Sequence, residues 1–301
     1  MKLSGVLLPL TTPFDGGAVA PARLADNIAR YEAHGLAGYL VLGSTGEAAL
    51  LDEDEKLTVL AAARKAIPTS RTMMAGVGVE STGATIRLAR RAADAGADVL
   101  LVIPPFFFRS RMSTDALVRH FTAVADASPV PILLYNVPVY TSVVIPPAAV
   151  ATLASHPNVI GLKDSAGDLP WLLEVLARVP ATFQVLSGSA LSVLPAFTCG
   201  AVGAILAAGD AFPELFVRLY RHHVEGRAAE ALALQKELVA PTRLILGGHG
   251  VAGVKAAMDL RGLAGGDPRL PLSPLDKQDR ATIRAEIDHL VACGLLARPE
   301  I

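Results

Sequence analysis

The sequence predicts a (β/α)8 TIM barrel followed by a C-terminal helical extension, and three observations carry that prediction. Eight short apolar runs rich in β-branched and aliphatic residues alternate with helical segments between Val6 and Leu206. Each run is apolar enough to be buried on both faces, which marks parallel strands covered by helices. Beyond Phe212 the runs stop and only helical patterns remain. Eight strand–helix units in this length fit a closed barrel better than an open doubly wound sheet.

The elements follow in order. The strand runs are Val6–Leu10, Tyr39–Leu42, Thr72–Val77, Val99–Ile103, Ile132–Tyr135, Val159–Lys163, Phe183–Leu186 and Val202–Leu206. Between them, Asp52–Ala66, Thr82–Ala95 and Thr114–Ala127 show apolar residues at i, i+3 and i+4, the period of a helix with one buried face. Glycine or proline closes many helical segments, at Gly35, Pro68, Gly96, Pro129, Pro157, Pro180 and Gly200. Pro213–Gly226 is the last barrel helix, and Ala228–Val239, Val251–Leu260 and Lys277–Cys293 form the appendage. The expected division is therefore a barrel over residues 1–225 and an extension over 226–301.

Composition narrows the function classes. The chain has 301 residues, 52% hydrophobic and 18% charged, so it can bury a large core and is not a disordered polymer. Its net charge of −1 leaves no basic surplus for nucleic acid or an anionic membrane. The longest uncharged stretch, Val179 to Gly209, exceeds the ~20 residues a spanning helix needs. Pro180, Gly188, Pro195, Gly200 and Gly203 punctuate it, and it carries Gln184, Ser187, Ser189, Ser192 and Thr198, so a buried strand–helix–strand unit is expected instead. The first residues lack the apolar run of a secretion signal, and two cysteines, Cys199 and Cys293, make neither a disulfide framework nor a metal cluster. A cytoplasmic protein with no metal and no cofactor is the expectation.

In such a barrel, chemistry sits at the C-terminal ends of the strands. Lys163 is the odd residue there, because it ends the otherwise apolar run Val159-Ile160-Gly161-Leu162 and is one of only seven lysines. Burial disfavours an ammonium and so favours the free amine that imine chemistry requires. Position alone is equally compatible with a strand-end lysine paired to Asp164 or Glu47. Tyr135 ends the preceding strand and would stand beside Lys163, either as a proton relay or as an aromatic plug. Gly43-Ser44-Thr45-Gly46 lies between a strand and a helix, where backbone N–H groups can cradle a carboxylate or simply make a tight turn. His222, His223 and His249 lack metal-ligand spacing.

At these residues the sequence resembles the dihydrodipicolinate synthase / N-acetylneuraminate lyase family of Schiff-base (class I) pyruvate-dependent lyases and aldolases. The likeness spans essentially the whole chain, through Gly43-Ser44-Thr45-Gly46-Glu47, Tyr135-Asn136-Val137-Pro138 and Gly161-Leu162-Lys163-Asp164-Ser165 in order. It implies that Lys163 forms the imine and Tyr135 relays protons, while Ser44 and Thr45 receive the keto-acid carboxylate. It also implies that Gly188 and Ile205 line the pocket, and that the assembly is a homotetramer built as a dimer of dimers. Within the family the runs Arg109–Ser113, Ala125–Pro129, His156–Ser165 and Phe183–Gly188 are most similar to 4-hydroxy-2-oxoglutarate aldolases, whose pattern places Ser165 against the substrate.

Two departures shape the expected substrate. The synthases carry an arginine two residues after the Tyr-Asn-Val-Pro motif, where this chain has Tyr140. Many members also carry paired tyrosines after the fourth strand, where this chain has Phe106 and Phe107. The leading expectation is a Schiff-base aldolase that makes or breaks a C–C bond in a 2-keto acid with pyruvate as product or donor. The alternatives are a 2-keto-3-deoxy sugar-acid aldolase or dehydratase, dihydrodipicolinate synthesis, and a non-catalytic keto-acid-binding barrel.

Overall fold

A computed structural model of the protein describes residues 1–297. Eight parallel strands close into a barrel: β1 (Gly5–Leu8), β2 (Gly38–Val41), β3 (Thr72–Gly76), β4 (Val99–Val102), β5 (Ile132–Asn136), β6 (Val159–Asp164), β7 (Gln184–Ser187) and β8 (Gly203–Ile205). Neighbours in the ring follow chain order, and β1 joins β8 through Val6 opposite Ala204. Every expected strand forms, with ends displaced by at most two residues. β1 stops at Leu8, because Pro9 has no N–H to continue a ladder.

The covering helices are α1 (Pro21–Tyr31), α2 (Glu53–Ala66), α3 (Thr82–Asp94), α4 (Thr114–Ala127), α5 (Pro147–Leu153), α6 (Leu169–Leu176), α7 (Val193–Cys199) and α8 (Pro213–Val224). Four of their starts are written in side chains. Asp52 and Glu55 form a reciprocal capping box on α2, and Ser81, Ser113 and Asp168 cap α3, α4 and α6. Each such cap stabilises its helix by roughly 1 kcal/mol. The extension contributes α9 (Ala228–Glu237), α10 (Gly250–Leu260) and α11 (Lys277–Ala292), with a π-helical turn at Arg243–Gly248 that periodicity did not foretell.

Two apolar layers hold these elements. Inside the ring, Leu3, Leu7, Leu40, Met74, Val99, Leu101, Leu133, Tyr135, Val137, Leu186 and Ile205 pack into one cluster. A larger cluster fills the space between strands and helices. Alternate residues of each strand feed the two layers, which is why the runs lack a polar face. The long uncharged stretch is β7, α7 and β8, and among the described residues no helix is long and apolar enough to cross a membrane.

Candidate active site

Strand register decides which side chains meet at the barrel mouth. Tyr135 on β5 is the direct partner of Lys163 on β6, and the next pair along is Asn136 and Asp164. Successive residues point to opposite faces. Tyr135 joins the inner cluster, and Lys163 Nζ lies 4.6 Å from the centre of its ring. Both are buried, Lys163 at 4% exposure and Tyr135 at 6%. On the opposite face, Asn136 Nδ2 donates to Asp164 Oδ1 at 2.8 Å, and Asn136 Oδ1 accepts from Ile145 N–H.

Asp164 shapes the turn that follows. Its carboxylate accepts from the amides of Ala166 and Gly167, both at 3.2 Å, which fixes the backbone on either side of Ser165. Burial pushes its carboxyl above the ordinary value, against the pull of these donors and Asn136. Neither carboxylate that position suggested for Lys163 is its partner: Asp164 serves Asn136 and the loop amides, and Glu47 pairs with Lys255. That leaves the Lys163 amine facing Tyr135.

Burial alone would raise the Tyr135 phenol. The Lys163 charge, together with the Ser165, Ser44 and Lys163 side chains that favour the phenolate, outweighs it and brings the group below the ordinary value of 10.0. The site also depends on a missing side chain. A Cβ at Gly188 would stand 2.0 Å from Ser165 Oγ and 2.9 Å from Lys163 Cε, so only glycine leaves the lysine its place. Ile205 lies in the inner cluster with Tyr135 and Leu186.

The Gly43–Gly46 turn is bracketed by two non-glycine residues in the left-handed region, Leu42 at φ 59° and Glu47 at φ 55°. Such conformations persist only where the surroundings impose them. Thr12 Oγ1 donates to Gly46 O at 2.6 Å, and Gly46 N–H and Glu47 N–H close the turn on Gly43 O and Ser44 O. The turn's own bonds thus do not engage the Ser44 and Thr45 amides. Ser44 is half-buried and reaches Tyr135; Thr45 is buried in the same turn and is placed by its neighbour.

At the rim, Phe106 is partly exposed and Phe107 largely so, and both backbone amides donate to Glu80 Oε2. Tyr140, 57% exposed, sits close enough to feel a charge on Tyr135. Among the described residues no cluster of three or more His, Cys, Asp or Glu side chains could hold a metal ion.

Two groups escaped the sequence reading. Lys255 on α10 is fully buried, yet nothing in its helical surroundings marked it as different from a surface lysine. Asp210, in the turn Ala207–Asp210 after β8, is also fully buried, and neither carboxylate oxygen has a hydrogen-bond partner. Burial holds its carboxyl well above the ordinary range, with only the Lys163 charge acting in the other direction. Its signal was available, since it is the first charge after 31 uncharged residues.

This architecture agrees with that of similar proteins. The dihydrodipicolinate synthetase family model matches residues 2–290. The chain belongs to that family. Its members are class I lyases and aldolases, and this chain is an enzyme of that class. A 4-hydroxy-tetrahydrodipicolinate synthase of Methanosphaerula palustris is 35% identical, over 93% of this chain and 96% of its own length. One from Neisseria gonorrhoeae is 34% identical over 95% and 98%. Among solved structures, the 4-hydroxy-tetrahydrodipicolinate synthase of Methylacidiphilum fumariolicum superposes with TM-score 0.92 at 28% identity, covering 98% of this chain and 100% of that one. YagE, an E. coli prophage protein of the dihydrodipicolinic acid synthase family in complex with pyruvate, gives 0.90 at 29% identity, covering 96% and 99%.

Proposed function

We propose that this family member is an aldolase that cleaves 4-hydroxy-2-oxoglutarate to pyruvate and glyoxylate through an imine on Lys163. The observation that carries the imine is the buried Lys163–Tyr135 register pair, with Gly188 clearing space beside the lysine. The amine attacks the 2-keto carbon, and loss of water gives a protonated imine. The C3–C4 bond then breaks as its electron pair moves into the imine, while Tyr135 takes the proton of the C4 hydroxyl. Protonation at C3 and hydrolysis release pyruvate and free Lys163. The Ser44 and Thr45 amides hold the C1 carboxylate, and Ser165 and Ile205 border the same space.

The substrate assignment rests on the rim. Tyr140 offers a single phenol hydroxyl where the synthases hold their second substrate's carboxylate with an arginine fork, and a phenol cannot make that bidentate grip. The pyruvate complex of YagE supports the pyruvate half of the reading. The synthase relatives favour a second reading, condensation of pyruvate with an aldehyde that carries a distant carboxylate.

Borohydride reduction in the presence of pyruvate, followed by peptide mapping, tests the imine; an adduct on any lysine other than Lys163, or none, defeats it. Turnover across 4-hydroxy-2-oxoglutarate, 2-keto-3-deoxy sugar acids and the synthase substrates then separates the readings. An adduct without turnover of any of them makes the barrel a keto-acid binder. We further propose a homotetramer, since Phe107, Phe108, Val139, Tyr140 and Val144 leave apolar surface exposed in the loops after β4 and β5. Light scattering should give the mass of four 31.3 kDa chains, and a mass of one chain would refute it.

A further inference from the structure

We propose that Glu47 is a positioning residue for the ligand carboxylate, held in place by a strap of the C-terminal extension, residues 265–271. The proposal rests on the reading that the Gly43–Gly46 turn receives that carboxylate. Glu47 is the residue that ends the turn, and it does so in the left-handed region at φ 55°, a conformation that a non-glycine residue adopts only under constraint. Its side chain is where the constraint enters.

Both carboxylate oxygens of Glu47 are claimed by the extension. Lys255 Nζ lies 2.5 Å from Oε1, with both side chains sealed from solvent. The backbone N–H of Arg269 donates to Oε2 at 2.7 Å. Lys255 Nζ in turn donates to the carbonyl of Asp267, so the same ammonium ties the strap to the turn. The Arg269 guanidinium then fastens the strap to the barrel. It forks onto both oxygens of Glu55 in the first turn of α2 and donates to the carbonyls of Leu50 and Gly17. Lys255 Nζ and the Arg269 guanidinium both lie 4.4 Å from the centre of the Phe14 ring. A Cβ at Gly265 would meet Lys255 O at 2.0 Å, so strap and helix are in closest approach.

A buried ion pair contributes little net stability compared with apolar side chains of the same volume, but removing one partner strands a charge. Its place in the chain gives this pair its use. Gly46, the residue before Glu47, is fixed by Thr12, and Ser44 and Thr45 precede it directly. Swinging Glu47 out of its conformation therefore re-aims the amides of the turn, and a misplacement of about 1 Å in a positioned group can cost on the order of a hundredfold in rate. The clamp touches no reacting atom and acts only through the turn.

The test compares two ketones. Lys163 adducts are trapped with borohydride over a concentration series of pyruvate and of hydroxyacetone, which is similar in size and lacks the carboxylate. The proteins are wild type, Glu47→Gln, Arg269→Ala and the double variant Glu47→Gln/Lys255→Met, which leaves no stranded ammonium if Glu47→Gln alone fails to fold. Thermal melts identify the folded variants. The expected result is a half-saturation for pyruvate raised about tenfold or more, with that for hydroxyacetone held within about twofold. Equal weakening of both ketones, or no change for either, in the folded variants overturns the positioning role and leaves the imine reading intact. A wild type that traps no pyruvate on Lys163 overturns the reading of the site, and the positioning role with it.

Discussion

Tyr135 and Lys163 are direct partners across β5 and β6, and the lysine amine rests 4.6 Å from the centre of the tyrosine ring. The phenol is consequently easier to ionise than an ordinary one, although burial opposes this, because the lysine charge and the polar groups of Ser165 and Ser44 act together. Tyr135→Phe should keep the fold and still form a borohydride-trapped adduct on Lys163. Cleavage should fall by about 10²- to 10⁴-fold, the usual contribution of a positioned proton carrier. In the wild type, the pH dependence governed by this phenol should lie below pH 10. Full cleavage activity in the phenylalanine variant would remove the relay role.

Gly188 gives a second and sharper expectation. An alanine there brings a methyl group to 2.9 Å from Lys163 Cε and 2.0 Å from Ser165 Oγ. The serine hydroxyl can rotate away, but the lysine is itself buried, at 4% exposure. Gly188→Ala should therefore leave the melting temperature within a few degrees of wild type and abolish the pyruvate adduct. An adduct at wild-type yield would show that the lysine stands elsewhere.

Histidine 120 makes stability depend on pH. It is buried on α4, its Nδ1 is hydrogen-bonded with Thr82 Oγ1 at 2.9 Å, and Nε2 has no partner. Burial lowers it from 6.5 to about 4, with Glu80 acting weakly in the other direction. Below pH 6.5 the unfolded chain takes up a proton that the folded chain refuses until about pH 4. Stability is therefore complete above the unfolded value and is lost as pH falls between the two, by on the order of 3 kcal/mol. In His120→Gln the drop in melting temperature from pH 7 to pH 4 should be smaller than in wild type. Identical slopes would mean that the ring is solvated.

Much of this was legible in the chain because a barrel writes itself locally. Each strand is a short apolar run, several helices carry a side-chain cap, and the strand ends follow in chain order, so Tyr135, Lys163 and Ser165 could be placed at the barrel mouth from order alone. The contacts of Gly188 could not, since they depend on β7 lying beside β6. Glu47 illustrates the limit. Its place at a strand end offered it to Lys163, whereas its partner, Lys255, is 208 positions away in α10, and Arg269 is 222 away. Nothing in helical spacing distinguishes a lysine that turns inward from one that faces water, because that depends on which face of the appendage docks.

Asp210 carries the last prediction. Its carboxyl is sealed in the turn after β8, both oxygens lack partners, and Tyr31 donates to its backbone carbonyl, not to the side chain. Burial raises it well above the ordinary 3.8, and the Lys163 charge offsets only part of that. The unfolded chain releases this proton near its ordinary value, while the folded chain holds it to higher pH. The folded state thus binds more protons over that window, and its stability falls as pH rises through it. Asp210→Asn keeps the shape and removes the titration, and the Tyr31 hydrogen bond survives because it uses the main chain. The variant should melt higher than wild type at pH 8, and the gain should shrink towards zero near pH 4. A variant that melts lower at pH 8 would show that the ionised carboxylate is supported by a partner, and that burial is not what governs it.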